Sequence, residues 1–84
     1  MSKTKSEWQT ELNQQGFTGL EILDDEPKKI QNRFGGGSVM LNPVEIAIYD
    51  CISGAEMLRD YQTVQKGIDW FIKNNTEAYA VLLD

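Results

Sequence analysis

The clearest hydrophobic periodicity in the chain begins after residue 42. Apolar residues recur at helical spacing over 43–59 and again over 62–74, which predicts two amphipathic helices. Asn42 and Pro43 are favoured residue types for an N-cap and a first helical position, and Glu45 fits a capping box. Asp60 is a candidate cap for the second helix. A third, short helix is predicted over 76–83.

The two long helices are predicted to pack against each other. Gly54 and Gly67 each lie at the edge of the apolar face of their helix, at the same angle around the helix axis. We therefore expect the two helices to approach closely at these glycines. Each of these glycines lowers helix stability by about 1 kcal/mol relative to alanine, which suggests a packing reason for its presence. The predicted central core consists of Ile48, Ile52, Leu58, Ile68 and Phe71.

The hydrophobic periodicity is weaker before residue 35. Residues 6–16 predict a short helix, capped by Ser6 and ended by Gly16, in which Trp8 and Leu12 form the apolar stripe. Residues 17–23 and 28–34 flank a turn at Pro27 and are compatible with a small β-hairpin. Because their alternation is poor, an irregular arm that packs on the helices is the alternative.

Three consecutive glycines, Gly35–Gly37, precede the first long helix. A Walker-type phosphate loop needs a lysine and a serine or threonine at fixed spacing, and the G-x-G-x-x-G pattern is also missing here. The glycines are therefore interpreted as a flexible junction. The predicted organisation is an N-terminal arm (1–34), a glycine-rich hinge (35–41) and a helical core (42–84), in a mainly α fold.

Composition narrows the possible functions. The 84 residues include 13 acidic and 8 basic residues, for a net charge of −5, which disfavours binding to nucleic-acid phosphates. Histidine is absent and Cys51 is the only cysteine, so histidine-dependent triads and an intrachain disulfide are excluded. No apolar run reaches the ~20 residues of a membrane span. We therefore predict no enzyme activity, no cofactor, no metal site, and no membrane or nucleic-acid partner.

Trp70 lies away from the predicted apolar face of its helix. Lys66 and Lys73 flank it at helical spacing, which would allow a cation–π contact. The last helix or the N-terminal arm could cover this tryptophan, or it could contact another molecule. Because a two-helix hairpin leaves its outer sides open, we predict self-association as a homodimer. The candidate contact residues are Trp8, Trp70, Tyr79, Val81, Leu82 and Leu83.

Several short stretches carry a family resemblance. From Phe34 onward, "FGGGSV", "NPVEIAIYD", "GAEMLRDY", "GIDWF" and "AYAVLLD" resemble small uncharacterised proteins encoded by marine cyanobacterial phages of the T4-like group. The resemblance does not include the first 33 residues. It implies a phage product made in an infected cell, and it supplies no activity or site residues.

The predicted function is a non-enzymatic protein–protein interaction module. It would act on a host or phage protein in the cytoplasm of the infected host cell, because the N-terminus lacks the apolar stretch of a secretory signal. The alternative is a minor structural or assembly component of the virion.

Overall fold

The computed structural model describes residues 3–17 and 19–84, which form a small, mainly helical domain with one two-stranded sheet. This confirms the predicted fold class, including the short N-terminal helix. The chain ends in a short α-helix that continues as a π-helical turn. In chain order the elements are α1 (Lys5–Gln14), β1 (Lys28–Gln31), β2 (Ser38–Leu41), α2 (Pro43–Met57), α3 (Tyr61–Asn74), α4 (Thr76–Ala78) and the π-helical turn (Tyr79–Leu83).

The caps of the two long helices are the predicted ones. The Asn42 side chain accepts a hydrogen bond from the Glu45 amide at 2.9 Å, and the Glu45 carboxylate accepts from the Asn42 amide at 2.8 Å. Asp60 accepts from both the hydroxyl and the amide of Thr63, and these hydrogen bonds lower the pKa of Asp60. Both helices therefore begin where local hydrogen bonding satisfies their first amides.

Helix α1 begins two residues earlier than the predicted cap allows. Thr4, not Ser6, is the N-cap, because Glu7 lies three residues after Thr4 and completes a reciprocal capping box. Ser6 lies inside the helix. The predicted left-handed residue after the helix is confirmed, since Gly16 has a φ of 85°.

The β-hairpin uses strands different from the predicted pair. Strand β1 pairs antiparallel with β2, with Lys28 opposite Leu41 and Gln31 opposite Ser38. The predicted pairing of 17–23 with 28–34 is wrong. The glycines connect the two strands, and their φ values of 82°, 108° and 136° lie in a region that other residues rarely adopt. They reverse the chain within a hairpin, and the division into arm, hinge and core stays a prediction.

The extended segment before the hairpin is held by one side chain of α1. The Gln9 amide donates to the carbonyl oxygen of Leu20 at 2.8 Å and accepts from the amide of Ile22 at 2.9 Å. Gln9 thus satisfies two backbone groups of residues 20–22, as a neighbouring strand would.

A single apolar core joins these elements. Phe71 is its largest fully buried side chain, and Ile48 and Ile52 are also buried. Leu58 is exposed, so its predicted place in the core is wrong: α2 ends at Met57, before the helical pattern would bury it. The buried apolar residues of the cluster come from α1, the segment between α1 and β1, strand β2 and every later helix: Leu12, Phe17, Ile22, Leu41, Val44, Ile46, Ile48, Ile52, Phe71, Ala78 and Leu82.

The close approach of α2 and α3 occurs at Gly67. A Cβ atom added there would lie 2.3 Å from Cγ1 and 2.6 Å from Cδ1 of Ile52, well inside van der Waals contact. Gly54 does not share this role. It is exposed, and beyond its own helix no atom of residues 3–17 and 19–84 lies within 4 Å of its added Cβ.

The two glycines form a matched test of this packing. We expect Gly67→Ala to lower the free energy of unfolding by about 1–3 kcal/mol, because the added methyl group overpacks the buried contact with Ile52. Gly54→Ala should raise it by about 0.5–1 kcal/mol through helix propensity. Urea denaturation of both variants measures the difference, and equal effects would place the close contact elsewhere.

The predicted division of the chain is tested by hydrogen exchange. We expect amides in 46–58 and 64–72 to exchange more slowly than those in 17–38, because an isolated two-stranded hairpin is marginally stable and the long helices cover the core. Equally slow exchange in 17–38 would show that the hairpin and the segment before it are as firmly held as the helices.

Candidate functional site

The predicted contact residues are largely packed within the chain. Leu82 is buried, and Trp8, Trp70, Tyr79, Val81 and Leu83 are half-buried against the core. The Trp70 Nε1–H donates to the side-chain oxygen of Gln15 at 2.9 Å, and its ring meets Phe71 edge-on. The end of α1 thus covers part of Trp70. Whether these six residues contact a partner stays a prediction.

The lysine contacts also differ from the predicted ones. Lys66 lies over the ring of Phe17, 4.7 Å from its centroid, rather than over Trp70. Its ammonium group also donates to the carbonyl oxygen of Gly16. Lys66 therefore fixes the chain after α1 against α3. Lys3 makes a comparable cation–π contact with Trp8.

The C-terminal segment is tied to the rest of the fold by two asparagine side chains. Asn32, in the hairpin loop, donates to the carbonyl oxygen of Val81 at 2.8 Å. Asn75, the cap of α4, donates to the Glu45 carboxylate at 2.6 Å, so the capping box of α2 also holds the end of α3. These contacts explain why the last residues pack inward.

Four of the seven large apolar side chains that are exposed in residues 3–17 and 19–84 belong to the last residue of α2, the α2–α3 turn and its vicinity, or the hairpin loop, and sequence reasoning missed them. Met57, Leu58 and Tyr61 lie at the α2–α3 turn, where the positive φ of Arg59 redirects the chain. Phe34 lies in the hairpin loop, which the 3.0 Å ion pair of Arg33 with Glu56 holds beside the same end of the helix. We name this surface the hydrophobic edge, with exposed fractions of 88% (Phe34), 83% (Met57), 81% (Leu58) and 67% (Tyr61).

A separate cleft of about 240 Å³ lies between α2 and the extended segment at 20–24. We name it the acidic cleft, because three carboxylates stand among otherwise mostly apolar lining residues. Loss of hydration and the nearby charge of Asp24 raise the pKa of Asp50, and loss of hydration raises the pKa of Cys51. Asp24 also forms an ion pair with Lys28. The lining residues are Leu20, Glu21, Leu23, Asp24, Pro43, Ile46, Ala47, Asp50 and Cys51.

The raised pKa of Cys51 leaves little thiolate, the reactive form, at neutral pH. Within residues 3–17 and 19–84, no group of three or more cysteine, aspartate or glutamate side chains could hold a metal ion. The helices of this same part of the chain are all too short or too polar to cross a membrane.

No protein-family model, curated protein or solved structure matches this chain. The resemblance to cyanobacterial phage proteins accordingly stays a prediction, and the surfaces of the chain itself carry the functional inference.

We expect that replacing Asp50 stabilises the folded protein, by an amount that depends on pH. Because the folded state raises the pKa of Asp50, the ionised carboxylate destabilises the fold at neutral pH, and protonation removes this cost as the pH falls through the folded-state pKa. We expect Asp50→Asn to raise the free energy of unfolding at pH 7, with an advantage that shrinks as the pH falls toward about 4 and is lost below it. Urea midpoints across this range test it, and a pH-independent difference would contradict it.

Proposed function

We propose that this protein is a non-enzymatic protein–protein interaction module and that its contact surface is the hydrophobic edge. The observation that carries the proposal is the exposure of Phe34, Met57, Leu58 and Tyr61 at one end of α2. Grouped large apolar side chains on a small domain mark a binding surface, because leaving them in water costs free energy that a partner would recover.

The residue types of the edge match those of protein interfaces. Phe34 and Tyr61 supply aromatic anchors, and Met57 supplies a flexible apolar side chain that adapts to the shape of a partner. Arg33 and Glu56 form a polar border beside them. An apolar centre with a charged border is the usual anatomy of such contacts.

A second copy of this chain is the partner we propose first. The edge and its border carry both signs of charge, with Arg33 and Arg59 near Glu56 and Asp60. A two-fold interface places the same surface on both sides, so mixed charges allow each copy to complement the other despite the net charge of −5 on each chain. A homodimer through this edge would cover the exposed apolar side chains of both copies.

The test compares one substitution at two exposed methionines. We expect the unmodified protein to shift with concentration from 9.5 kDa toward twice that mass in sedimentation equilibrium. Met57→Glu should remain monomeric, because it places a charge inside the apolar contact. Met40→Glu is the matched control: Met40 is also exposed, precedes α2 at its opposite end, and should leave the dimer intact.

Two results would overturn parts of this proposal. A single 9.5 kDa species at every concentration would exclude self-association. A dimer that survives Met57→Glu, or that Met40→Glu also breaks, would place the interface away from the hydrophobic edge.

A further inference from the structure

The acidic cleft has a size and lining that suit one long side chain. Its volume of about 240 Å³ falls below the ~300–1,000 Å³ of pockets that hold small-molecule ligands. Leu20, Ile46 and Ala47 contribute apolar surface to it, and Leu23 extends this surface outward because its own side chain is largely exposed. An aliphatic stem would be removed from water along this lining.

The charged residues that line the cleft are all acidic. Glu21, Asp24 and Asp50 line it, and none of the lining residues is a lysine or arginine within the part of the chain that the structure describes. Lys28 already pairs with Asp24. None of the ion pairs formed by residues 3–17 and 19–84 includes Asp50. The negative charge of Asp24 repels the ionised carboxylate of Asp50 and contributes to its raised pKa. A cation placed in the cleft would offset this repulsion.

Arginine combines the two properties that the cleft requires. Its three-carbon stem packs along apolar surface while its charged head stays near water, and its planar guanidinium can donate two parallel hydrogen bonds to one carboxylate. Lysine offers the same stem but only a point charge. We propose that the acidic cleft binds an arginine side chain of an extended partner segment, with the guanidinium at Asp50 and an apolar neighbour of the arginine on Leu23.

This is a second contact site, separate from the hydrophobic edge, and it does not depend on self-association. Its partner is a segment of another protein in which arginine is flanked by apolar residues. Asp50 and the rest of the cleft lie along the first two-thirds of α2 and on the segment at 20–24, whereas the edge begins at the last residue of α2.

The test uses the full chain and three short peptides in an NMR titration. The probe is acetyl-Leu-Arg-Leu-amide, and its control carries citrulline, which keeps the shape of arginine and removes its charge. We expect the arginine peptide to shift the amide resonances of 20–24 and 46–51. The citrulline peptide should bind more weakly by about five-fold or more, and the lysine peptide should fall between them. Added salt at about 0.5 M should weaken arginine binding, because it screens exposed charges.

Two variants distinguish binding in the cleft from a general attraction of the peptide to the negative charge of the chain. Asp50→Asn should weaken binding of the arginine peptide by about two- to five-fold, the range of an exposed ion pair. Asp25→Asn removes the same charge from an exposed residue that does not line the cleft, and it should leave binding unchanged. Because Asp50→Asn is expected to stabilise the fold, a loss of binding cannot be attributed to unfolding.

Cys51 provides an independent readout, since it is the only thiol in the chain and lines the cleft. The arginine peptide should slow alkylation of Cys51, and the citrulline peptide should protect it less. Three results would overturn the proposal: equal binding of the arginine and citrulline peptides, resonance shifts outside 20–24 and 46–51, or an equal response of Asp50→Asn and Asp25→Asn. Shifts of the cleft resonances by Ca²⁺ or Mg²⁺ alone, with none from the peptide, would instead indicate a cation site.

Discussion

Helix α3 packs closely against α2 because residue 67 is a glycine and has no side chain. Any Cβ there would overlap the buried Ile52, so a larger residue would force the helices apart or displace the core. Phe71 lies one turn further along α3 and is fully buried. Trp70 precedes Phe71 on α3, and its indole N–H donates a hydrogen bond to the side chain of Gln15, the residue that caps the end of α1. Helix α3 thus carries the close contact with α2, a fully buried aromatic ring and a hydrogen bond to the residue that follows α1.

Side-chain amides supplement a core that is small for the number of elements it joins. A chain of 84 residues buries a modest share of its surface, so its connecting segments gain much of their order from specific hydrogen bonds. Asn32 links the hairpin loop to the C-terminal turn, and Asn75 links α4 to the start of α2. Each amide offers both donors and acceptors, so one side chain can satisfy groups on two elements. These contacts join segments that are distant in sequence.

Sequence reasoning succeeded where the determining interactions are local. The cap at Asn42 depends on residues three positions apart, and the amphipathic pattern of α3 depends on its own residues. It failed where distant segments decide the outcome: the hairpin strands are short and show little alternation, so their pairing depends on how the glycine turn folds. The sequence pattern predicts a core position for Leu58, because the apolar periodicity continues through it. The helix ends just before it, and the following left-handed residue is Arg59, a residue type that does not signal such a turn. The contact of Trp70 with Gln15 is likewise beyond the reach of the sequence pattern, which leaves the last helix, the N-terminal arm and another molecule open as partners, because periodicity does not show which element docks where.

The double hydrogen bond of Gln9 makes one wall of the acidic cleft depend on α1. Gln9 holds the backbone of Leu20 and Ile22, and Leu20 lines the cleft, so the shape of the cleft is set by a helix that does not itself line it. Any ligand that prefers the formed cleft would therefore also favour the docked position of α1, and by reciprocity the docking of α1 would strengthen binding of that ligand. Occupancy of the cleft would then be transmitted to the N-terminus of the chain, where a change in the environment of the Trp8 indole would report it optically.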